Sequence, residues 1–288
     1  MWVYLNDRFV PKEEAVVSVF DHGFLYGDGV FETMRAYQGR VLQLSEHLMR
    51  LGRSASSLQL PLPASPSHLA ELVRASLTRN SLQEATVRVT VSRGEGDIGL
   101  DPALCKRPTL VIIAQPFQPY PPSLYEEGVS VIVVHTRRNL AEAVPPHVKS
   151  LNFLNNILAK MEAKAAGAYE GLLLNHAGAV TEGTTSNIFL VQRGRLRTPS
   201  LDCGILEGIT RSLVLRLARE LGIPSEERVV TADDLFNADE CFLTNTTQEI
   251  LPVREIDGRV LADGRPGPMT RRLHTSFRSG LDRFLDRV

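Results

Sequence analysis

Lysine is scarce in this chain: five lysines stand against twenty-seven arginines in 288 residues. Where arginine serves almost every cationic position, each lysine has to be accounted for. Lys149 needs it most, in "HVKSLNFLNN" behind Pro145 and Pro146 and ahead of an apolar helical pattern. Cysteine is scarce as well. Cys105, Cys203 and Cys241 are odd in number, widely spaced and without histidines at metal spacing, which argues against a disulfide framework and a metal site. No apolar run approaches the ~20 residues of a membrane helix, and the longest, "VSVIVV", is strand-length. A net charge of -1 provides no global field for nucleic acid or an anionic membrane. "MWVYLNDRFVPKEE" carries charges early and lacks a basic-then-apolar signal pattern. The expectation is a cytoplasmic globular protein with no nucleic acid, no membrane and no metal. Its 43% hydrophobic content suffices for a large core in two domains.

The pattern along the chain alternates short strands with helices. "MWVYLNDRFV" and "AVVSVFD" read as strands, and "GVFETMRAYQGRVLQL" as a hairpin turning at Gln38-Gly39. Leu44, Leu48, Leu51, Ala55 and Leu58 recur at helical spacing, and "HLAELVRASLTRN" has a similar stripe. "TVRVTVSRG" and "TLVIIAQPF" are strands, and the proline-rich stretch after them reads as a connection. Beyond it come strand "VSVIVVHT", helix "LNFLNNILAKMEAKAAGA", strands "EGLLLN", "AVTEG" and "SNIFLV", helix "GITRSLVLRLARELG", strand "ECFLTN" and a closing helix. The expected class is α+β in two domains: a small one over 1–118, a linker over 119–128 and a larger one over 129–288.

"GEGDIG" (Gly94 to Gly99) matches the spaced-glycine pattern of dinucleotide sites, but Leu100-Asp101-Pro102 interrupts the helix that must follow, so a glycine-rich loop is the better reading. Lys149 has more telling company. A lone lysine is ordinarily a solvated charge, and a carboxylate at a hairpin end is ordinarily a turn residue. Here Glu182 stands beside Gly183 and a Thr-Thr-Ser-Asn cluster, and "EGITRS" places the amides of Ile209 and Thr210 at a helix start suited to an anion. Thr246 and Thr247 add hydroxyls at a strand end, and Arg50 offers a planar cation for phosphate. Together they fit a pyridoxal phosphate site, which needs an amine for a Schiff base and an acid beside the pyridine nitrogen.

"YGDGVFETMR", "VKSLNFLNNILAKMEA", "GLLLNHAGAVTEGTTSNIFLV" and "GITR" resemble the class IV, or fold-type IV, pyridoxal-phosphate aminotransferases. That family holds branched-chain aminotransferases, D-amino acid aminotransferases and aminodeoxychorismate lyase. The resemblance spans Tyr4 to Phe277 and implies a small N-terminal α+β domain, a larger barrel-like domain and a homodimer with the active site near the interface. It makes Lys149 the Schiff-base lysine and proton shuttle, Glu182 the pyridine-nitrogen partner and Arg50 the phosphate arginine. Ile209, Thr210 and Thr246 would complete the phosphate cradle, Leu206 would pack against the ring, and Thr185 and Asn187 would give polar support. Leu154 departs from the pattern, since some branched-chain members have tyrosine there.

Tyr26, Phe31, Thr33 and Arg35 resemble the family's pocket strand, and Arg88 falls where the branched-chain type carries an arginine. Tyr26 and Phe31 suit an aliphatic side chain, while Arg35 and Arg88, with Thr246 and Thr247, can meet a carboxylate. Ile98 and Leu100 stand where the bacterial D-type enzymes carry an arginine and a histidine. The expected activity is ping-pong transfer from a branched-chain L-amino acid to 2-oxoglutarate. D-amino acid transamination and aminodeoxychorismate lysis are the alternatives. Thr33 and the "NTT" loop depart from the branched-chain pattern.

Overall fold

A computed structural model describes residues 1–286, which form two compact units. The first comprises Met1–Gln118, Val148–Asn152 and the stretch from Asp282, and the second comprises Pro119–His147 and Phe153–Leu281. This division differs from the expected continuous domain over 129–288, because the five residues around Lys149 pair with the first unit. The stretch expected as a linker lies in the second unit and contains a short helix, Ser123–Glu127.

In the first unit, β1 (Trp2–Leu5), β2 (Arg8–Pro11), β3 (Gly29–Tyr37), β4 (Arg40–Val41), β5 (Ala85–Ser92) and β6 (Thr109–Pro116) form one sheet ordered β2-β1-β6-β5-β3-β4. Every pairing in it is antiparallel, so the parallel dinucleotide-binding arrangement is absent. The β3–β4 hairpin turns at Gln38 and Gly39, both at positive φ, as a two-residue turn requires. Helices α1 (His22–Tyr26), α2 (Leu44–Ser57) and α3 (Pro66–Arg79) accompany the sheet. Leu44, Leu48, Leu51 and Ala55 of α2 are buried with Val30, Met34, Val87, Val89 and Ile112, one alternate face of the sheet. Each fully buried aliphatic side chain there contributes roughly 1.5–3 kcal/mol.

The strand expected over "AVVSVFD" is absent. Residues 15–20 belong to no strand, and Val16, Val17 and Val19 stay exposed (Val16 at 73%). β-branched propensity without a partner strand does not make a strand.

The second unit holds a nine-stranded sheet of β7 (Val129–Val133), β8 (Glu170–Leu174), β9 (Val180–Gly183), β10 (Asn187–Gln192), β11 (Arg195–Pro199), β12 (Ser225–Arg228), β13 (Glu240–Asn245), β14 (Glu249–Ile256) and β15 (Arg259–Val260). Its order is β12-β11-β10-β13-β14-β7-β8-β9, with β15 on β14. The far edge returns to the near one: Val180 of β9 bridges Val230, two residues beyond β12, with Val180 N donating to Val230 O at 2.8 Å. That closure gives the curled, half-barrel form around a core of Val131, Leu172, Ile188, Leu243 and Leu251. Helices α4 (Ser123–Glu127), α5 (Leu154–Ala165), α6 (Ile209–Glu220), α7 (Ala232–Phe236) and α8 (Pro268–Ser279) complete the unit. No described helix is long and apolar enough to cross a membrane.

Candidate active site

In the first unit, Lys149 is held by backbone pairing to β3. Phe31 N donates to Lys149 O at 3.0 Å, Leu151 N donates to Gly29 O at 2.8 Å, and Ser150 bridges Val30. The amide of Lys149 donates to Ser54 Oγ of α2 at 3.1 Å. The lysine Nζ then lies 4.6 Å from the centre of the Phe31 ring, and the guanidinium carbon of Arg88 lies 3.8 Å from the same ring. Thr33 pairs directly with Arg88 across β3 and β5, so Phe31, Thr33 and Arg88 share one face. Arg88 has no carboxylate partner among the described residues, and burial lowers its proton affinity from the ordinary value.

Arg35 lies on that face too, but its guanidinium donates to the carbonyls of Ala36 (2.7 Å) and Ala85 (3.3 Å), pairs with Glu84 and stacks on Phe117 and Tyr37. It closes the far end of the strand pair. Tyr26 ends α1 and turns its hydroxyl to accept the amide of Gly99 at 3.1 Å. His22 Nε2 bonds Asp97 O at 3.0 Å, so α1 holds the glycine-rich loop.

Behind the opposite face lies a group that the motifs did not suggest. Glu32, fully buried, receives Nε and Nη2 of Arg50 at 2.7 and 2.8 Å and Nδ1 of His47 at 2.7 Å. Burial by itself would raise the Glu32 pKa, yet Arg50 and His47 outweigh it and hold the carboxyl at about 2. His47 is pushed below its ordinary value by burial, with Glu32 opposing and the charges of Arg50 and Lys149 adding to the push. Arg50 is thereby a cation fixed by two bonds to one carboxylate, not a flexible surface arginine. A glutamate at an inward position between Val30 and Met34 was the available signal.

In the second unit, Glu182 on β9 is buried. Its Oε2 accepts Leu206 N at 3.0 Å and Asn187 Nδ2 at 3.3 Å, and its Oε1 faces Nη2 of Arg138 at 2.9 Å. Asn187 Nδ2 also donates to Leu206 O at 3.0 Å. Leu206, expected against a ring, thus holds Glu182 through its main chain. Arg138 was overlooked because "HTRRNL" gives no reason to single out one arginine of twenty-seven. Thr185 is drawn elsewhere: Thr184, Thr185 and Ser186 all turn their hydroxyls toward the buried Glu170, at 2.5, 3.4 and 3.3 Å.

Helix α6 begins at Ile209 with Gly208 as its N-cap and no side-chain cap, so the first-turn amides of Ile209 and Thr210 are left for another acceptor. Gly208 is required by close approach, since a Cβ there would overlap the Asn187 amide oxygen. In the Thr246 loop, Asn245 Oδ1 accepts Thr247 N at 3.1 Å and Gln248 N at 2.7 Å. The Thr247 hydroxyl lies 3.2 Å from that of Tyr120.

The second unit offers an uncapped helix start and a buried carboxylate, and the first a fixed guanidinium and an amine beside an aromatic ring; each is a group of the kind that a phosphorylated pyridine aldehyde takes. Comparison with known proteins agrees with this chemistry. The sequence pattern of the Amino-transferase class IV family matches residues 29–256. A Methanocaldococcus jannaschii protein named "Putative branched-chain-amino-acid aminotransferase" is 48% identical over 278 residues, 96% of each chain. The D-alanine aminotransferase of Bacillus licheniformis is 35% identical over 98% of this chain and 97% of its own. The branched-chain amino acid aminotransferase of Escherichia coli superposes with a TM-score of 0.96 at 33% identity, covering 99% of this chain and 98% of that one. A further branched-chain amino acid aminotransferase, from T.th. and complexed with N-(5'-phosphopyridoxyl)-L-glutamate, superposes with a TM-score of 0.94 at 33% identity, covering 99% of this chain and 97% of that one. On motif, fold and overall likeness, this chain belongs to the class IV aminotransferases.

Proposed function

We propose that the chain is a pyridoxal-phosphate-dependent branched-chain aminotransferase that moves the amino group of an aliphatic L-amino acid to 2-oxoglutarate in two half-reactions. The observation that carries this reading is the Phe31 ring with Lys149 on it at 4.6 Å and Arg88, with no carboxylate partner among the described residues, at 3.8 Å. An apolar ring beside a reactive amine suits a leucine-like donor. A guanidinium on the same ring, ready to accept a carboxylate, suits the dicarboxylic acceptor. The relatives named for branched-chain substrates support the same assignment.

Bound pyridoxal phosphate supplies an aldehyde that condenses with amines and a ring that withdraws electrons from the carbon losing a proton. Lys149 would contribute the amine that holds the aldehyde, and its Nζ would take up and return the proton of the substrate carbon. Glu182 holds the proton on the ring nitrogen, oriented by Leu206 N and Asn187. In the second unit the amides of Ile209 and Thr210 and the Thr246 hydroxyl would hold the phosphate, the helix start adding roughly 0.3–1 kcal/mol, and in the first Arg50 is a cation of the kind a phosphate takes. In the first unit Arg88 would meet a substrate carboxylate, with Phe31, Thr33 and Tyr26 toward the aliphatic side chain; in the second, the Thr246-Thr247 loop offers hydroxyls to a carboxylate. Arg35, engaged with Glu84 and two carbonyls, keeps the strand in place. Leu154 opens α5 and is 60% exposed.

A homodimer is part of the proposal. Leu154, Ile157, Leu158 and Met161 line one exposed face of α5, and in the first unit Val16, Val17 and Val19 are also open. A cytoplasmic location accords with three free cysteines. The D-alanine aminotransferase relative keeps D-amino acid transamination as the second reading, against which stand Ile98 and Leu100 in the glycine-rich loop. The deciding experiment mixes cofactor-loaded protein with single amino acids and follows the visible band. We expect L-leucine to bleach it at least tenfold faster than D-alanine. The reverse order overturns the L-branched-chain reading. Release of pyruvate from aminodeoxychorismate without an amino acceptor would make the protein a lyase.

A further inference from the structure

Arg138 lies outside the sequence motifs quoted above and belongs to the second unit. It follows β7, and its amide donates to Leu174 O at 2.9 Å, which fixes its backbone beside the end of β8. The side chain is only 9% exposed. Nη1 reaches the side-chain oxygens of Asn155 and Asn156 at 3.4 and 3.3 Å, and Nη2 lies 3.5 Å from Pro146 O. Asn156 is itself fixed, its Nδ2 donating to Thr184 O at 2.7 Å. From this support, Nη2 meets Glu182 Oε1 at 2.9 Å, while Oε2 is taken by Leu206 N and Asn187. Arg138 Nε is buried with no hydrogen-bond partner. Leaving a guanidinium nitrogen unsatisfied costs stability, so the arrangement is not what packing by itself would choose.

We infer that Arg138 is a positioning residue for the ring-nitrogen carboxylate: it holds Glu182 ionised and turned by one oxygen, so that the carboxylate can keep a proton on the cofactor ring. This inference rests on the assignment of Glu182 proposed above. Glu182 sits beside a hairpin end, and the turn that follows it is tied to Glu170 rather than to the carboxylate. Arg138 is a cationic partner of it within the second unit. A guanidinium nearly shut off from water draws the carboxylate's charge toward a fixed direction more strongly than a surface pair does.

The test compares the affinity of cofactor-free protein for pyridoxal phosphate with that for its 1-deaza analogue, in which carbon replaces the ring nitrogen. Wild-type protein, Arg138→Gln, Arg138→Lys, Glu182→Gln and the double Gln variant are measured by fluorescence quenching, with far-UV circular dichroism to confirm folding. We expect wild-type protein to prefer pyridoxal phosphate over the analogue. Arg138→Gln should lose roughly tenfold of that preference, Arg138→Lys should regain part of it, and the double variant should match Glu182→Gln. If Arg138→Gln weakens both cofactors equally, or its effect adds fully to that of Glu182→Gln, its role is structural only and the inference is overturned while Glu182 keeps its assignment. If Glu182→Gln leaves the preference intact, the assignment of Glu182 fails and this inference fails with it.

Discussion

Replacing Glu32 by glutamine isolates the buried charge that fixes Arg50. In the native fold the carboxyl is held at about 2 against an ordinary 4.5. At ~1.36 kcal/mol per pKa unit, that depression corresponds to about 3 kcal/mol of stability at neutral pH. The same figure follows from another direction, since removing one member of a buried pair leaves an uncompensated charge at roughly 3–5 kcal/mol. Here the groups that lose the carboxylate are Arg50, 5% exposed, and His47, fully buried. For a domain of this size, such a loss lowers Tm by roughly 6–12 °C. The pH dependence carries the sharper test. A depressed carboxyl pKa gives stability that is complete above about 4.5 and is lost as the pH falls toward 2. The gap between wild type and Glu32→Gln should therefore be full at pH 7 and shrink to roughly 1.4 kcal/mol at pH 3. Urea melts at a series of pH values measure it. Equal stabilities at pH 7, or a gap that does not narrow in acid, would refute the reasoning. His47 acts in the same sense in the wild type. Its pKa lies below 6.5, so acidification under that value loads protons onto the unfolded chain first.

Further outcomes follow from the same geometry. Lys149→Ala should fold normally yet show no borohydride-fixed cofactor on any peptide and no transamination; a retained covalent tag would place the reactive amine elsewhere. Gly208→Ala should cut cofactor affinity at least tenfold and cost about 1–3 kcal/mol, because the added methyl overlaps Asn187; calorimetry and titration read both effects. Arg88→Met should raise KM for 2-oxoglutarate tenfold or more while the L-leucine half-reaction stays within about threefold, as steady-state kinetics would show.

Much of the fold was legible because hydrophobic spacing matched it. The stripe from Leu44 to Ala55 is buried in α2, and "GITR" opens α6 with uncapped amides where an anion site was read. Local pattern failed where pairing partners decide. The valines of residues 16–19 read as a strand but join none. Arg35 and Arg88 look alike in sequence, and what separates them is that Glu84, two carbonyls and two rings engage Arg35. Glu32 was readable in principle, as a charge in register with Val30 and Met34, whereas Arg138 gave no local sign at all. The Thr184, Thr185 and Ser186 hydroxyls are adjacent in sequence, yet their acceptor, Glu170, sits fourteen residues before Thr184.

The placement of Val148–Asn152 with the first unit has a consequence for dissection of the gene. A fragment ending at Gln118 would lack Lys149, the amine proposed to react, and one starting at Pro119 would carry it detached from the Gly29–Phe31 strand that aligns it. Neither half can be expected to reconstitute chemistry by simple truncation, because the polypeptide lends five residues back across its own boundary.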